Sequence, residues 1–127
     1  MSQTNELEIM ERIALDLEGV EESLASSFNT GAEDFNALIR PLSAAGGKRL
    51  RAQLCLLIAN AGTSVERQRI RIAEAVEMLH LATLIHDDVL DQAEIRRGED
   101  TIHMHKGNKV AILSGDYLFA KAFQIVS

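Results

Sequence analysis

The 127-residue sequence predicts an all-α protein, and three observations carry that expectation. One proline and no tryptophan leave long stretches without a helix breaker. Apolar residues make up 46% of the chain, enough for one core in one modest domain spanning residues 1–127. Met10, Ile13, Leu17, Val20 and Leu24 recur at spacings of three and four, as in an amphipathic helix that buries one stripe.

The elements follow in order. The first helix is expected to reach about Phe28, with Asn29 to Gly31 as a turn. Ala32 to Arg40 reads as a short helix closed by Pro41. Ser43 to Gly47 is a small-residue loop, and Leu50 to Ala61 reads as a buried helix ended by Gly62. Ser64 is a candidate cap for a helix from about residue 65 to 90. Residues 92–107 are polar, carry Gly98 and Gly107, and read as loop. Lys109 to Ser127 reads as a mostly apolar helix. Its last four residues have no Gly or Pro stop and no basic last turn, so the chain is expected to be cut within that helix.

Charge and composition bound the function. The net charge of −6 is uneven. Residues 1–40 hold nine acids and two bases, and residues 41–127 ten acids and eleven bases. The bases cluster at Lys48–Arg51, Arg67–Arg71 and Arg96–Arg97, which suits local phosphate binding but not a general nucleic-acid binder. Cys55 is the one cysteine, so neither a disulfide framework nor a thiolate metal cluster is expected. No run approaches the roughly 18 apolar residues of a membrane span. The N-terminus is acidic and amphipathic rather than signal-like, and a cytoplasmic protein is the expectation.

Three segments carry chemistry. In His86-Asp87-Asp88-Val89-Leu90-Asp91, helical spacing puts Asp87 and Asp91 on one face and Asp88 about 100° around. Clustered carboxylates repel one another, and Mg²⁺ accepts their oxygens while keeping positions for substrate phosphate. A bare DDxxD is more often a solvated acidic helix end, although acids there oppose the helix dipole. Gly46-Gly47-Lys48-Arg49-Leu50-Arg51 lets the backbone approach an anion at a helix start, with Lys48 and Arg51 at i,i+3. The bland alternative is a solvated helix start; the spacing of a nucleotide P-loop is absent. Arg96-Arg97-Gly98 offers paired guanidiniums, the natural partners of diphosphate oxygens, although such pairs are most often surface charge. His80, two turns before Asp87, is by itself more often a core residue than a ligand.

Taken in register, these segments resemble one family, the trans-type isoprenyl diphosphate synthases or polyprenyl synthetases. The GGKRxR motif matches Gly46–Arg51, and DDxxD followed by xxxxRRG matches Asp87–Asp91 and Arg96–Gly98. A His seven residues before the first Asp matches His80. Gly107-Asn108, Gly115-Asp116 and Ala122-Phe123-Gln124 also look like the family. The resemblance is strong over residues 40–127, loose before them, and nearest in look to synthases making geranylgeranyl to octaprenyl diphosphate.

The resemblance implies an antiparallel helical bundle of the isoprenoid synthase type, here its N-terminal half. It also implies a reaction. An allylic diphosphate ionises to a carbocation and diphosphate, isopentenyl diphosphate attacks through its double bond, and a proton is lost. By carry-over, Asp87, Asp88 and Asp91 hold Mg²⁺, with Asp87 and Asp91 the principal ligands. Arg96 binds the allylic diphosphate, and Lys48, Arg51, His80 and Arg97 bind isopentenyl diphosphate. Asp116 supports the site from outside. Leu79, Ala82 and Thr83 lie along the growing tail. The last two stand where the family's short-chain members carry bulky residues, so a product longer than farnesyl is expected.

No second DDxxD exists in the sequence, and family members are more than twice this long. The chain is therefore expected to be part of a larger synthase domain, and to be inactive alone. A homodimer, or a place as one subunit of a heteromeric synthase, is the expected assembly, since half a helical barrel exposes apolar lining. Two other classes stay open: a non-catalytic module that binds Mg²⁺-diphosphate, and a helical interaction protein whose charges are solvated faces.

Overall fold

The computed structural model describes residues 3–44 and 46–127, with side chains from Asn5 onward. Among the described residues the chain forms α1 (Gln3–Ser27), α2 (Glu33–Ala44), α3 (Leu50–Asn60), α4 (Glu66–Leu90), the short strands β1 (Ile95–Arg96) and β2 (Glu99–Asp100), α5 (Ile102–Lys106) and α6 (Asn108–Val126). This is the expected all-α architecture with one small hairpin.

The centre is α4, which packs against α1, α3 and α6. It is buried on several sides, through Ala73, Ala75, Met78, Ala82 and Ile85. Among the described residues, six of the fifteen buried hydrophobics are alanines, small enough for helix backbones to approach closely. Gly115 is such a crossing. A Cβ there would collide with His86 Nε2, so α6 meets the α4 imidazole across a bare backbone. His86 Nε2 lies 3.0 Å from the Ile112 carbonyl and 3.3 Å from Asp116 Oδ1. Both partners accept, so Nε2 carries the proton.

Buried polar groups join the helices at defined points. Asp16 of α1 receives two bonds from the Arg69 guanidinium at the start of α4, at 3.1 and 3.3 Å. Glu74 of α4 accepts the Ser23 and Ser27 hydroxyls of α1, at 2.7 and 2.5 Å. Asn36, fully buried, takes the Thr30 amide and hydroxyl on Oδ1 and donates to the Thr30 carbonyl, which fixes the α1–α2 turn.

Several sequence expectations need correction. Pro41 does not close α2; the helix continues to Ala44, because proline removes one amide donor while the rest of the turn is still held by its neighbours. Ser64 does not cap α4. The cap position is Val65, without a side-chain bond, and the Ser64 hydroxyl turns back to the Ala59 carbonyl at 3.0 Å. Met10 lies on the expected apolar stripe yet is 66% exposed, since α1 extends beyond the core that covers Val20, Leu24 and Phe28. The 92–107 loop contains the β1–β2 hairpin and α5. Of the small-residue loop, Ser43 and Ala44 belong to α2, and Ala45 lies outside the described residues.

Candidate active site

The last turn of α4 separates the three aspartates by environment. Asp87 is exposed, as is Asp91, the helix C-cap, whose amide still bonds to the Asp87 carbonyl at 2.8 Å. Asp88 faces inward and is 5% exposed. Both its oxygens are taken by Arg96, with contacts of 2.9 and 2.8 Å from Nε and 2.6 Å from Nη2. That hydrogen bonding raises the Arg96 pKa against an opposing effect of burial, and the charges of Asp88, Asp87 and Asp91 add to the rise. Asp87 and Asp91 thus form the open carboxylate pair.

The hairpin that supplies Arg96 is bolted to α4. Ile95 pairs with Asp100 and Arg96 with Glu99. The Ala93 amide donates to the Asp88 carbonyl at 2.9 Å, and the Ala93 carbonyl accepts the Thr101 hydroxyl at 2.8 Å and His103 Nε2 at 2.5 Å. Arg97 sits at the tip with a positive φ of 53°. Arg97 Nη1 would lie 3.0 Å from a Cβ at Gly47, which itself has a positive φ of 73°. A side chain at Gly47 would be strained and would crowd the guanidinium.

One cavity collects most of the cationic residues. His80, Arg96, Arg97 and Arg49 line it, together with Glu77 and Leu84. His80 is half-buried, and its pKa lies below the usual value because burial and the charges of Arg51, Arg97 and Arg96 disfavour the imidazolium, partly opposed by Glu77. Arg51 is therefore close enough to act on His80, although it is exposed in the first turn of α3. Lys48 lies in the turn before that helix. The residue between Lys48 and the helix, Arg49, has a left-handed backbone, so the expected helical i,i+3 relation of Lys48 and Arg51 does not form.

The positions expected to line the growing tail diverge. Leu79 is half-buried and Thr83 exposed, with its hydroxyl on the His80 carbonyl at 2.7 Å, whereas Ala82 is fully buried in the core. Asp116 reaches His86, the neighbour of Asp87, rather than the aspartates themselves. Two residues at the site escape sequence reasoning. Arg49 is hidden inside its own motif between more obvious cations, and Glu77 looks like any helical acid. The available signal for Glu77 is its place one turn before His80 in an otherwise apolar stretch.

A metal ion needs oxygen donors left open. Among the described residues no group of three or more His, Cys, Asp or Glu converges in a ligand arrangement. The Asp87–Asp91 pair remains, and two carboxylates completed by water and substrate phosphate suit Mg²⁺.

Comparison with known proteins identifies the family. The polyprenyl synthetase family model matches residues 32–127. Octaprenyl diphosphate synthase of Escherichia coli is 34% identical over 119 residues, covering 94% of this chain and 37% of that protein. Geranylgeranyl diphosphate synthase of Methanosarcina mazei is 46% identical over 98 residues, covering 77% of this chain and 30% of that protein. Among solved structures, a Caulobacter crescentus polyprenyl synthase complexed with calcium and isoprenyl diphosphate superposes with a TM-score of 0.84 at 36% identity, covering 92% of this chain and 36% of that one. The chain spans about a third of the length of these relatives. With a family match over most of its length and a helical bundle shared with a solved member, this chain belongs to the polyprenyl synthetase family.

Proposed function

We propose that this chain forms the aspartate- and arginine-bearing wall of a trans-prenyltransferase site that joins isopentenyl diphosphate to an allylic diphosphate. The observation that carries the reading is that the exposed carboxylates of Asp87 and Asp91 lie close enough to act on Arg96, which lines a cavity together with Arg97 and His80. The difficult step in such a reaction is to break the allylic C–O bond, which separates a carbocation from a diphosphate anion. Charge developing on that leaving group is best met by fixed cations in a partly desolvated cavity.

In this reading Asp87 and Asp91 would hold Mg²⁺. Bound there, the ion would neutralise diphosphate charge and orient the leaving group. The calcium complexed in the Caulobacter crescentus synthase supports divalent-metal use in the family. Asp88 holds the Arg96 guanidinium in place for the allylic diphosphate, and it reaches a metal only by giving up that pair. Lys48, Arg51, Arg97 and His80 receive the isopentenyl diphosphate. Thr83, on the same helical face as Asp87, leaves room for a tail longer than farnesyl.

The test combines calorimetry with a product assay on the chain mixed with Mg²⁺, isopentenyl diphosphate and farnesyl diphosphate. Mg²⁺-dependent binding without turnover is expected, since the chain spans about a third of its relatives and carries no second DDxxD. Turnover would show a competent enzyme. No Mg²⁺-dependent binding would sink the proposal in favour of a helical interaction protein.

A further inference from the structure

Of the three cations in Gly46–Arg51, the middle one is consumed inside the protein. The Arg49 side chain is 11% exposed and reaches three helices. Its Nε and Nη2 donate to Glu21 of α1, at 2.5 and 3.2 Å. Nη2 also donates to the Ser43 carbonyl of α2, at 2.6 Å. Its Nη1 lies 3.8 Å from Glu77 Oε2 of α4. Gly46 is the gap through which this guanidinium passes, because a Cβ there would collide with Nη1. The other oxygen of Glu77 accepts the Ala52 amide at 2.9 Å, capping the first turn of α3 from a neighbouring helix. The backbone is therefore held at Arg49, between Lys48 and Arg51, and at Ala52 just after them, and a left-handed residue with a Cβ persists where its surroundings demand it.

We propose that Arg49, gripped by Glu21 and Glu77, is a positioning residue that sets the direction of Lys48 and Arg51 toward diphosphate; this rests on the diphosphate-binding reading of the site. The forked guanidinium matters more than its charge, since only a fork can serve α1, α2 and α4 together.

Two substitutions separate positioning from simple electrostatics. Arg49→Lys keeps the charge, so charge alone predicts unchanged binding. Glu21→Ala removes an acid from a site for anions, so charge alone predicts tighter binding. Glu21 is half-exposed and its truncation leaves the core untouched. Calorimetry would follow inorganic diphosphate with Mg²⁺ against the 127-residue chain, with helicity checked by circular dichroism. Roughly tenfold weaker binding is expected for Arg49→Lys and a loss of a few-fold for Glu21→Ala, at unchanged helicity, as for small misplacements of binding groups. Lys48→Ala and Arg51→Ala report on the diphosphate site itself. Weakening by those two, with Glu21→Ala equal to or tighter than the parent chain, overturns the positioning role alone. No diphosphate binding by the parent chain overturns both.

Discussion

Asp88 differs from Asp87 and Asp91 in having both oxygens engaged, and stability and metal response should divide accordingly. Asp88→Asn is expected to cost about 2 kcal/mol of unfolding free energy by urea titration, because it weakens a charge-assisted bond and leaves Arg96 partly unpaired. Asp87→Asn and Asp91→Asn should leave stability within about 0.5 kcal/mol yet abolish Mg²⁺-dependent diphosphate binding. Equal stability losses at all three positions would contradict this division. His80 gives a second test. Its folded pKa lies below the usual 6.5, so the unfolded chain binds more protons and stability falls as pH drops below about 6.5. A bound anion favours the imidazolium, so diphosphate should raise the His80 pKa and bind more tightly as pH falls. An NMR titration of the imidazole with and without diphosphate checks the sign. Thr83→Phe should be tolerated on its open face, whereas Ala82→Phe should overpack the core and lower stability by about 1–3 kcal/mol.

At the scale of elements, the α4–α6 crossing depends on Gly115. Gly115→Ala should displace the His86 ring, break its bond to the Ile112 carbonyl and cost about 1–3 kcal/mol by thermal or urea unfolding. Gly19→Ala should cost less, because its Cβ would meet only the far end of the Ile70 side chain, at 2.7 Å. An equal penalty at both sites would refute the role given to the imidazole. Which elements are legible in the sequence follows from what makes them form. The bounds of α1, α3, α4 and α6 match expectation within a few residues, since periodicity and the lack of breakers are local signals, but α3 is not the buried helix expected, because only its Ala52 and Leu56 meet the core. The carbonyl of Ala93 that anchors the hairpin, the Glu77 cap on α3 and the continuation of α2 through Pro41 depend on surroundings that no local pattern encodes. The site divides in the same way. Asp87, Asp91 and the arginines announce themselves by type and spacing, but the pairing of Asp88 with Arg96 requires a fold that turns the chain back onto the helix.

For the whole molecule, the distribution of apolar surface has consequences. Leu50, Leu54, Leu57 and Ile58 are each at least half exposed along one side of α3, while only Ala52 and Leu56 of that helix are buried. Val110, Leu113 and Tyr117 form a second exposed row on α6. Apolar rows of this kind favour association. Sedimentation at micromolar concentration should therefore show species larger than one chain, and Leu54→Glu with Leu57→Glu should shift them toward the monomer. A parent chain that sediments as a monomer would count against this.

The bolted hairpin also constrains how the sequence can drift. Nine residues from Ala93 to Thr101 leave and return to the same carbonyl, and Arg96 reaches Asp88 only at its present count from that anchor. Adding or deleting one residue between Gln92 and Ile95 would turn Arg96 to the opposite side of its strand and bring a neighbour to Asp88 in its place. Changes of length should therefore be refused on the ascending arm.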